Sequence, residues 1–254
     1  MEKFRVTPYP DGTYVYRGIW EDANGLFILM DDYQTTLRQH IQLKFQLNEL
    51  QWLQLMLGIA ERLAPPHSEN ICHGDLCPSN GIAPLSKLIS KVLVDHHTDY
   101  EFDPQKVHLT DFGIAHIVSL PNDTGGINIV PGCLQYLAPE FRNFQIVNAT
   151  TMSDMWAVGY IGYEMCLGLG LTPEAEWFQE IEAHIAGKPL NLWRIPERFG
   201  PNVQFVIQGC MESDPAKRIT AARLVGYLRS LLDLMRHGMK DTIQNKSFLN
   251  QKWR

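Results

Sequence analysis

The hydrophobic positions near the start of the chain predict two paired β-strands. Apolar and aromatic residues cluster within residues 13–33, on either side of Asp22-Ala23-Asn24-Gly25. An Asn-Gly pair between two such runs is a strong hairpin signal, because the tight turn needs residues that tolerate positive φ. We therefore expect two antiparallel strands that meet at this turn.

From about residue 47 the apolar positions recur three and four residues apart, which is the spacing of a helix with one buried face. The predicted stripe comprises Leu50, Leu53, Leu57, Ala60 and Ala64. Proline lacks the N–H that a helix interior uses for hydrogen bonding, so Pro65 and Pro66 are expected to end this helix.

After residue 145 the pattern is helical almost throughout. The most apolar stretch, residues 155–171, is interrupted by Glu164 and by four glycines. It falls short of the roughly 20 apolar residues of a membrane span, so we predict a helix buried in protein. A last helix is predicted to begin after Thr220, a suitable N-cap, and to end near Gly238. Its apolar stripe comprises Leu224, Leu228, Leu231 and Met235.

Composition and charge narrow the class of protein. The 254 residues are 45% hydrophobic, which is enough to bury a substantial core, and they carry a net charge of −6. No basic patch stands out, so we expect neither nucleic acid nor a membrane as partner. The five cysteines form no C-x-x-C pair, and the first residues do not resemble a signal peptide. The expected location is therefore intracellular, cytoplasmic or nuclear.

Three short motifs follow the first predicted helix and contain the residues best suited to chemistry. They are His73-Gly74-Asp75-Leu76-Cys77-Pro78-Ser79-Asn80, Asp111-Phe112-Gly113 and Ala138-Pro139-Glu140. Each motif alone is a weak signal, since tripeptides recur by chance. In this order, however, they resemble the catalytic loop, the metal-binding loop and the activation-segment anchor of protein kinases.

The resemblance extends over roughly residues 9–235. Asp154 begins a D-x-W-x-x-G sequence and Arg218 follows Asp214-Pro215, as the family places its own helix start and late arginine. The resemblance implies an α+β, protein kinase-like fold. It would consist of a complete, mainly helical C-lobe and a remnant N-lobe of about two antiparallel strands.

The domains implied in this way are a remnant N-lobe with the interlobe hinge (1–33), a C-lobe (34–238) and a C-terminal tail (239–254). The interval between Asn80 and Asp111 is longer than in typical kinases, which leaves an insert near residues 83–104. The insert contains Leu85, Leu88, Ile89, Val92, Leu93 and Val94. The helical spacing at its start indicates either a partner-binding face or an added helix packed on the body, and both interpretations stay open.

The resemblance also assigns roles to residues that could carry phosphoryl transfer. Such transfer needs a carboxylate near the acceptor hydroxyl and oxygen ligands for Mg²⁺. Asp75 takes the position of the catalytic base, whether still functional or vestigial, and Asn80 and Asp111 take the positions of the metal ligands. The alternative for all three is that they only form turns.

Other residues take nucleotide-binding or structural positions. Met30 falls at the gatekeeper position and, with Asp31 and Tyr33 of the hinge, would border the adenine of ATP. Five residues take structural positions of the family. His73 and Phe112 would pack between the lobes, and Glu140 and Arg218 would form a buried ion pair. Asp154 would hold the catalytic-loop backbone.

The chain departs from the kinase pattern where ATP would be held. No G-x-G-x-x-G occurs in it, and the only lysines before Asp75 are Lys3 and Lys44. An active kinase covers the ATP phosphates with such a glycine-rich loop and orients them with a strand lysine. We therefore expect the first three N-lobe strands and the regulatory helix to be absent, unless another chain supplies them.

The catalytic loop departs from the pattern as well. Cys77 occupies the position of a lysine that neutralises the transferring phosphoryl group in Ser/Thr kinases, and a thiol cannot supply that charge. Gly74 replaces an arginine that pairs with a phosphorylated activation segment. Cys133 stands where a threonine usually bridges the catalytic aspartate to the substrate loop.

These departures favour a pseudokinase that acts as a protein-binding regulator or scaffold. The alternative is an atypical protein Ser/Thr kinase that transfers the γ-phosphate of ATP with Asp75, Asn80 and Asp111, while a partner supplies the rest of the N-lobe. Mg²⁺ and ATP are expected as cofactors only if the protein is active. A third interpretation is that the chain is one piece of a larger multidomain enzyme.

The expected partner is a protein, either a kinase or a kinase substrate. A reduced N-lobe should expose apolar groups on the upper face of the C-lobe, around Phe27, Leu29, Met30 and Phe112, and large apolar patches usually mark interaction sites. Self-association through the same face is a second expectation. The alternative is that residues 1–12 and the insert fold over this face.

Overall fold

The computed structural model describes residues 16–22, 25–30, 35–37, 47–77, 92–94, 107–109, 116–117, 136–142, 149–167, 174–192 and 194–237. Its strands are β1 (Tyr16–Asp22), β2 (Gly25–Met30), β3 (Thr35–Thr36), β4 (Ile71–Cys72), β5 (Val92–Val94), β6 (Val107–Leu109) and β7 (His116–Ile117). Its helices are α1 (Glu49–Ser68), α2 (Pro139–Arg142), α3 (Thr151–Leu167), α4 (Glu174–Ile185), α5 (Pro201–Cys210) and α6 (Ala221–Arg236). The predicted domain boundaries at 33 and 238 are not tested by these elements and stay predictions.

Strands β1 and β2 form an antiparallel hairpin, which confirms the two strands predicted from the Asn-Gly signal. Asp22 pairs with Gly25 beside the turn, and Trp20 pairs with Phe27 further along the ladder. The side chain of Phe27 is partly exposed. The hairpin forms a two-stranded sheet of its own.

Helix α1 begins as the sequence predicts but ends later. Asn48 is its N-cap and forms a capping box with Gln51, in which each side chain accepts a hydrogen bond from the other residue's backbone N–H. The prediction that Pro65 and Pro66 end the helix is wrong, because the helix continues to Ser68. In the last turn a proline removes only its own N–H bond, and burial of Pro66 favours the helical path.

The apolar stripe predicted for α1 is also shorter than expected. Leu50 is 40% exposed, whereas Leu53 and Leu57 are buried in the core. The stripe that faces the protein therefore starts one turn later than predicted. Trp52, which is fully buried, faces the core and donates a hydrogen bond from Nε1 to the carbonyl oxygen of Gly162 at 2.8 Å.

Helix α3 is the centre of the helical body. Every residue from Ser153 to Cys166 is buried, which confirms the helix predicted within residues 155–171. A helix that is buried all round belongs in the core of a large domain, where other elements cover each of its faces. Among the described helices, none combines the length and the apolar character that a membrane crossing requires.

Helix α6 follows the prediction closely. The side chain of Thr220 caps it by accepting a hydrogen bond from the Arg223 backbone, and the helix ends at Arg236. Leu224, Leu228 and Leu231 are buried in the core. The helix packs on α1, and Arg229 pairs with Glu61 of that helix at 2.7 Å.

The part of the insert that the structure describes is a strand. Residues of β5 pair antiparallel with β6, where Val92 faces Leu109, and with β3, where Val94 faces Thr35. Both interpretations of the insert depend on the helical spacing at its start, and both stay predictions. A run of β-branched and apolar residues pairs with β6 because each strand satisfies the other's backbone groups. Leu85, Leu88 and Ile89 lie outside the described residues.

Close packing between α3 and α5 depends on Gly159. A Cβ at this position would lie 2.5 Å from Cγ of Met211 and 2.7 Å from Cβ of Cys210, both of which belong to buried residues. Gly159→Ala is therefore expected to lower the free energy of unfolding by about 1–3 kcal/mol through overpacking. Chemical denaturation of the purified variant measures the change.

Gly226 of α6 provides the matched control, because a Cβ there would meet no atom within 4 Å. Gly226→Ala should raise the free energy of unfolding by about 0.5–1 kcal/mol, since alanine restricts the unfolded chain and favours a helix. Equal destabilisation by the two alanines would contradict the packing described for Gly159.

Candidate functional site

The catalytic-loop sequence is held by a buried carboxylate at the start of α3. Asp154 lies in the first turn of this helix and is 2% exposed. Its Oδ2 atom accepts a hydrogen bond from the backbone N–H of His73 at 2.7 Å, and its Oδ1 atom accepts one from the backbone N–H of Gly74 at 2.9 Å. The structure thus brings Asp154 to the backbone that the sequence comparison with kinases indicated.

His67 is a third partner of the same carboxylate and was missed by the sequence reasoning. Its Nε2 atom lies 2.9 Å from Oδ2 of Asp154, and its side chain is only 8% exposed. The predicted helix ended at Pro65, so His67 was left outside any element. Had α1 been extended to Ser68, the histidine would have been placed in its last turn, just before the catalytic loop.

His73 is fully buried, and its ring contacts its own loop. The Nδ1 atom accepts a hydrogen bond from the backbone N–H of Asp75 at 3.3 Å, so the proton of a neutral ring lies on Nε2. The imidazole thus stabilises the loop through a hydrogen bond to the loop's own backbone. Its predicted partner across the lobes, Phe112, lies outside the described residues, so their stacking stays a prediction.

The backbone at Gly74 has φ of 79°, in the left-handed region that favours glycine. Beyond it, Asp75 is partly exposed, whereas Leu76 and Cys77 are buried in the hydrophobic core. Solvent therefore reaches part of Asp75 but not Cys77, which is 0% exposed.

The predicted metal and nucleotide positions are not covered by the structure. Asn80, Asp111, Asp31 and Tyr33 lie outside the described residues, and of Met30 only the strand position at the end of β2 is described. The described part of the chain contains no group of three His, Cys, Asp or Glu side chains that could hold a metal ion. The Mg²⁺ and ATP positions therefore stay predictions.

Glu140 and Arg218 form a bidentate ion pair between α2 and the loop that follows α5. Two guanidinium nitrogens of Arg218 donate to the two carboxylate oxygens of Glu140 at 2.8 and 2.9 Å. The arginine side chain is 0% exposed and that of the glutamate 9%. Arg218 also donates to the carbonyl oxygens of Met152 and Glu212, so its charge is surrounded by acceptors.

A second buried contact joins the segment before α2 to α3. The hydroxyl group of Tyr136 donates a hydrogen bond to Oε2 of Glu164 at 2.6 Å, and both residues are buried. The ring of Tyr136 meets that of Tyr160 edge-on, with 4.7 Å between the centroids. Sequence reasoning treated Glu164 only as an interruption of an apolar stretch and did not find this pair.

The cysteines that the structure describes are not suited to nucleophilic chemistry. Cys72, Cys77, Cys166 and Cys210 are all buried. Desolvation by burial raises the pKa of Cys166, and it raises the pKa of Cys210 to about 12. Because the thiolate is the reactive form, these two thiols are inert near neutral pH.

The family of the chain follows from comparison with known proteins. Residues 14–227 match the protein kinase domain family, so the chain belongs to this family. The mainly helical body and the few strands described above fit its fold.

Known relatives are protein kinases of several kinds. The chain is 27% identical over 223 residues to the serine/threonine-protein kinase PkaB of Streptomyces coelicolor, covering 86% of this chain and 49% of that protein. It is 26% identical over 162 residues to 3-phosphoinositide-dependent protein kinase 1 of Mus musculus, covering 63% of this chain and 24% of that protein. It is 31% identical over 166 residues to the serine/threonine-protein kinase ATG1 of Eremothecium gossypii, covering 60% of this chain and 15% of that protein. The chain thus spans half or less of the length of these relatives.

Proposed function

We propose that the protein is a pseudokinase that acts by binding another protein, as a regulator or scaffold. The observation that carries this proposal is the burial of Cys77, which is 0% exposed. By its resemblance to kinases, this position belongs to a lysine that neutralises the transferring phosphoryl group. Loss of one such charge from a site of low polarity costs on the order of a few kcal/mol of transition-state stabilisation.

The distribution of retained and replaced residues supports the same proposal. Contacts that maintain shape are present, namely those of Asp154 with the loop and of Arg218 with Glu140. Two residues that would serve chemistry or its regulation are replaced, although Asp75 is retained: Cys77 lacks the charge, and Gly74 lacks the guanidinium that would pair with a phosphorylated segment. A chain that retains its kinase shape without these groups is suited to binding.

The reduced N-lobe belongs to the same proposal. The sequence contains no G-x-G-x-x-G. In this proposal the antiparallel hairpin of β1 and β2 corresponds to the last two N-lobe strands. Without a glycine-rich loop and an orienting lysine, ATP would lack the groups that cover and align its phosphates.

The proposed partner is a protein, a kinase or a kinase substrate, which would bind the upper face around the hairpin. Of the four apolar side chains expected there, Phe27 is described, and it is partly exposed. Self-association through this face is the second form of the proposal. Light scattering and pull-down of a folded Phe27→Glu variant check both, and an unchanged mass with unchanged partners would contradict them.

The alternative function is that of an atypical Ser/Thr kinase. The retained Asp75 favours it, because this residue is partly exposed and follows a backbone that Asp154 fixes. In that case Asp75, Asn80 and Asp111 would transfer the γ-phosphate of ATP, with Mg²⁺ as cofactor and the rest of the N-lobe supplied by a partner.

A thermal-shift titration with ATP and Mg²⁺ separates the two proposals. A ligand at 100 times its dissociation constant stabilises the folded state by about 2.7 kcal/mol. We expect no saturable rise in melting temperature for the pseudokinase, with Mg²⁺ alone as the control. A saturable rise that requires both ATP and Mg²⁺, and that loses its Mg²⁺ requirement in Asp111→Ala, would favour the alternative.

A further inference from the structure

His184, in the last turn of α4, has an acceptor at each of its two ring nitrogens. Its Nδ1 atom lies 2.9 Å from the carbonyl oxygen of Lys188, and its Nε2 atom lies 2.8 Å from the carbonyl oxygen of Met211. Lys188 follows the end of α4, and Met211 is the C-cap of α5. The imidazole therefore bridges the ends of two helices.

The turn after α4 brings the first of these carbonyl groups to the ring. Gly187 has φ of 94°, a left-handed conformation that reverses the chain at a helix end. The backbone N–H of Lys188 then donates to the carbonyl oxygen of Ala183 at 3.0 Å, and that of Gly187 donates to the carbonyl oxygen of His184 at 2.9 Å. The position of the Lys188 carbonyl is thus fixed by the backbone.

The protonation state of the imidazole decides how many of these contacts are hydrogen bonds. A neutral imidazole carries one N–H, so it can donate to only one of the two carbonyl oxygens, and its other nitrogen presents a lone pair to an acceptor. The imidazolium ion carries two N–H groups and can donate to both. The carbonyl of Met211 also lies at the C-terminal end of α5, where the helix dipole favours a cation.

The surroundings of the ring contain charges of both signs. The ring stacks on Trp156 with centroids 6.3 Å apart, and the guanidinium of Arg218 lies 5.3 Å from the centroid of the same indole. The charge of Arg218 is paired with that of Glu140. The ionisable side chains on the described segments that meet here include Asp154 and Glu164 of α3, Glu180 and Glu182 of α4, Lys188, Arg194, Glu212, Asp214 and Lys217. Asp214 and Lys217 pair with each other at 2.9 Å.

We propose that His184 is a proton-dependent clasp that joins the end of α4 to the end of α5. With the imidazole protonated, both carbonyl groups receive a hydrogen bond and the turn at Gly187 is held against α5. Loss of the proton removes one of the two bonds, and the end of α4 is released more often. The clasp is independent of the catalytic-loop positions and of the proposed binding function.

Amide hydrogen exchange of the full chain tests the clasp. The reporters are the backbone N–H groups of Ala186, Gly187 and Lys188, all bonded within the turn. We expect their protection factors to be roughly fivefold higher at a pH at which imidazole ¹⁵N spectra show protons on both nitrogens of His184 than at a pH at which the spectra show one. His184→Gln should abolish this rise after correction for intrinsic exchange rates.

His237 offers a matched control, because its Nδ1 atom lies 2.7 Å from a single carbonyl oxygen, that of Asp233, at the end of α6. His237→Gln should leave the rise at residues 186–188 intact. A pH-dependent rise that survives in His184→Gln, or that disappears in His237→Gln, would overturn the proposal.

A measurement on the wild-type chain covers the case in which a variant does not fold. Wherever imidazole ¹⁵N spectra of the wild type show both nitrogens of His184 protonated, both protons should exchange slowly with solvent. Free exchange of either proton, or a ring that is never doubly protonated while the chain is folded, would also overturn the proposal.

Discussion

Arg218→Ala is expected to lower the free energy of unfolding by roughly 3–5 kcal/mol. The guanidinium is 0% exposed, and its removal leaves the carboxylate of Glu140, 9% exposed, without its counter-ion. Two backbone carbonyl groups, those of Met152 and Glu212, lose a donor at the same time. Breaking one partner of a buried pair costs more than the pair contributes, because an uncompensated charge stays buried. Denaturant unfolding of the purified variant measures the loss.

The neighbouring residue Lys217 provides the control. It forms an ion pair with Asp214 at 2.9 Å, but its side chain is 73% exposed. Exposed pairs of this kind contribute little to stability, so Lys217→Ala should unfold at nearly the same denaturant concentration as the wild type. If Arg218→Ala also unfolded there, the buried ion pair would lose its assigned role.

Asp154→Ala is expected to have a comparable effect for a different reason. The carboxylate accepts hydrogen bonds from the backbone N–H groups of His73 and Gly74 and contacts Nε2 of His67. A buried donor without a partner costs about 1–3 kcal/mol, so the loss of this acceptor should remove roughly 3–5 kcal/mol. The amides of His73 and Gly74 should also exchange with solvent much faster, which hydrogen exchange measures site by site.

Two variants define the specificity of this effect. Asp154→Asn retains one acceptor oxygen and should lose less stability than the alanine variant. Asp75→Ala should leave folding nearly intact, because this residue is partly exposed and Asp154 holds the backbone N–H groups of His73 and Gly74 without the Asp75 side chain. Equal stability of Asp154→Ala and Asp75→Ala would show that Asp154 does not hold the loop.

The hairpin and α6 could be predicted because the residues that signal them lie within or next to these elements. The hairpin followed from Asn24-Gly25, and α6 followed from Thr220 and a regular apolar stripe. Each signal acts over a few residues, and no distant contact opposes it. The end of α1 was predicted wrongly, because packing of Pro66 against the core outweighs a missing N–H in the last turn.

The contacts of the site lie far apart in sequence, so local patterns could not predict them. Asp154 meets His73 across 81 positions, and Arg218 meets Glu140 across 78. These partners could be predicted only from the resemblance to kinases, because the order of the motifs identifies the family and the family fold brings these residues together. His67, Tyr136 and Glu164 carry no such motif, and their contacts became visible only in three dimensions.

We propose that the chain retains a kinase shape without phosphoryl transfer. The most direct test compares phosphate transfer from ATP, with Mg²⁺ present, by the full chain and by its Asp75→Ala variant. This variant should fold normally, so any difference reports on chemistry at the base position. We expect the same background level for both proteins. Transfer by the wild type that Asp75→Ala abolishes would contradict the account and assign the protein to the active kinases.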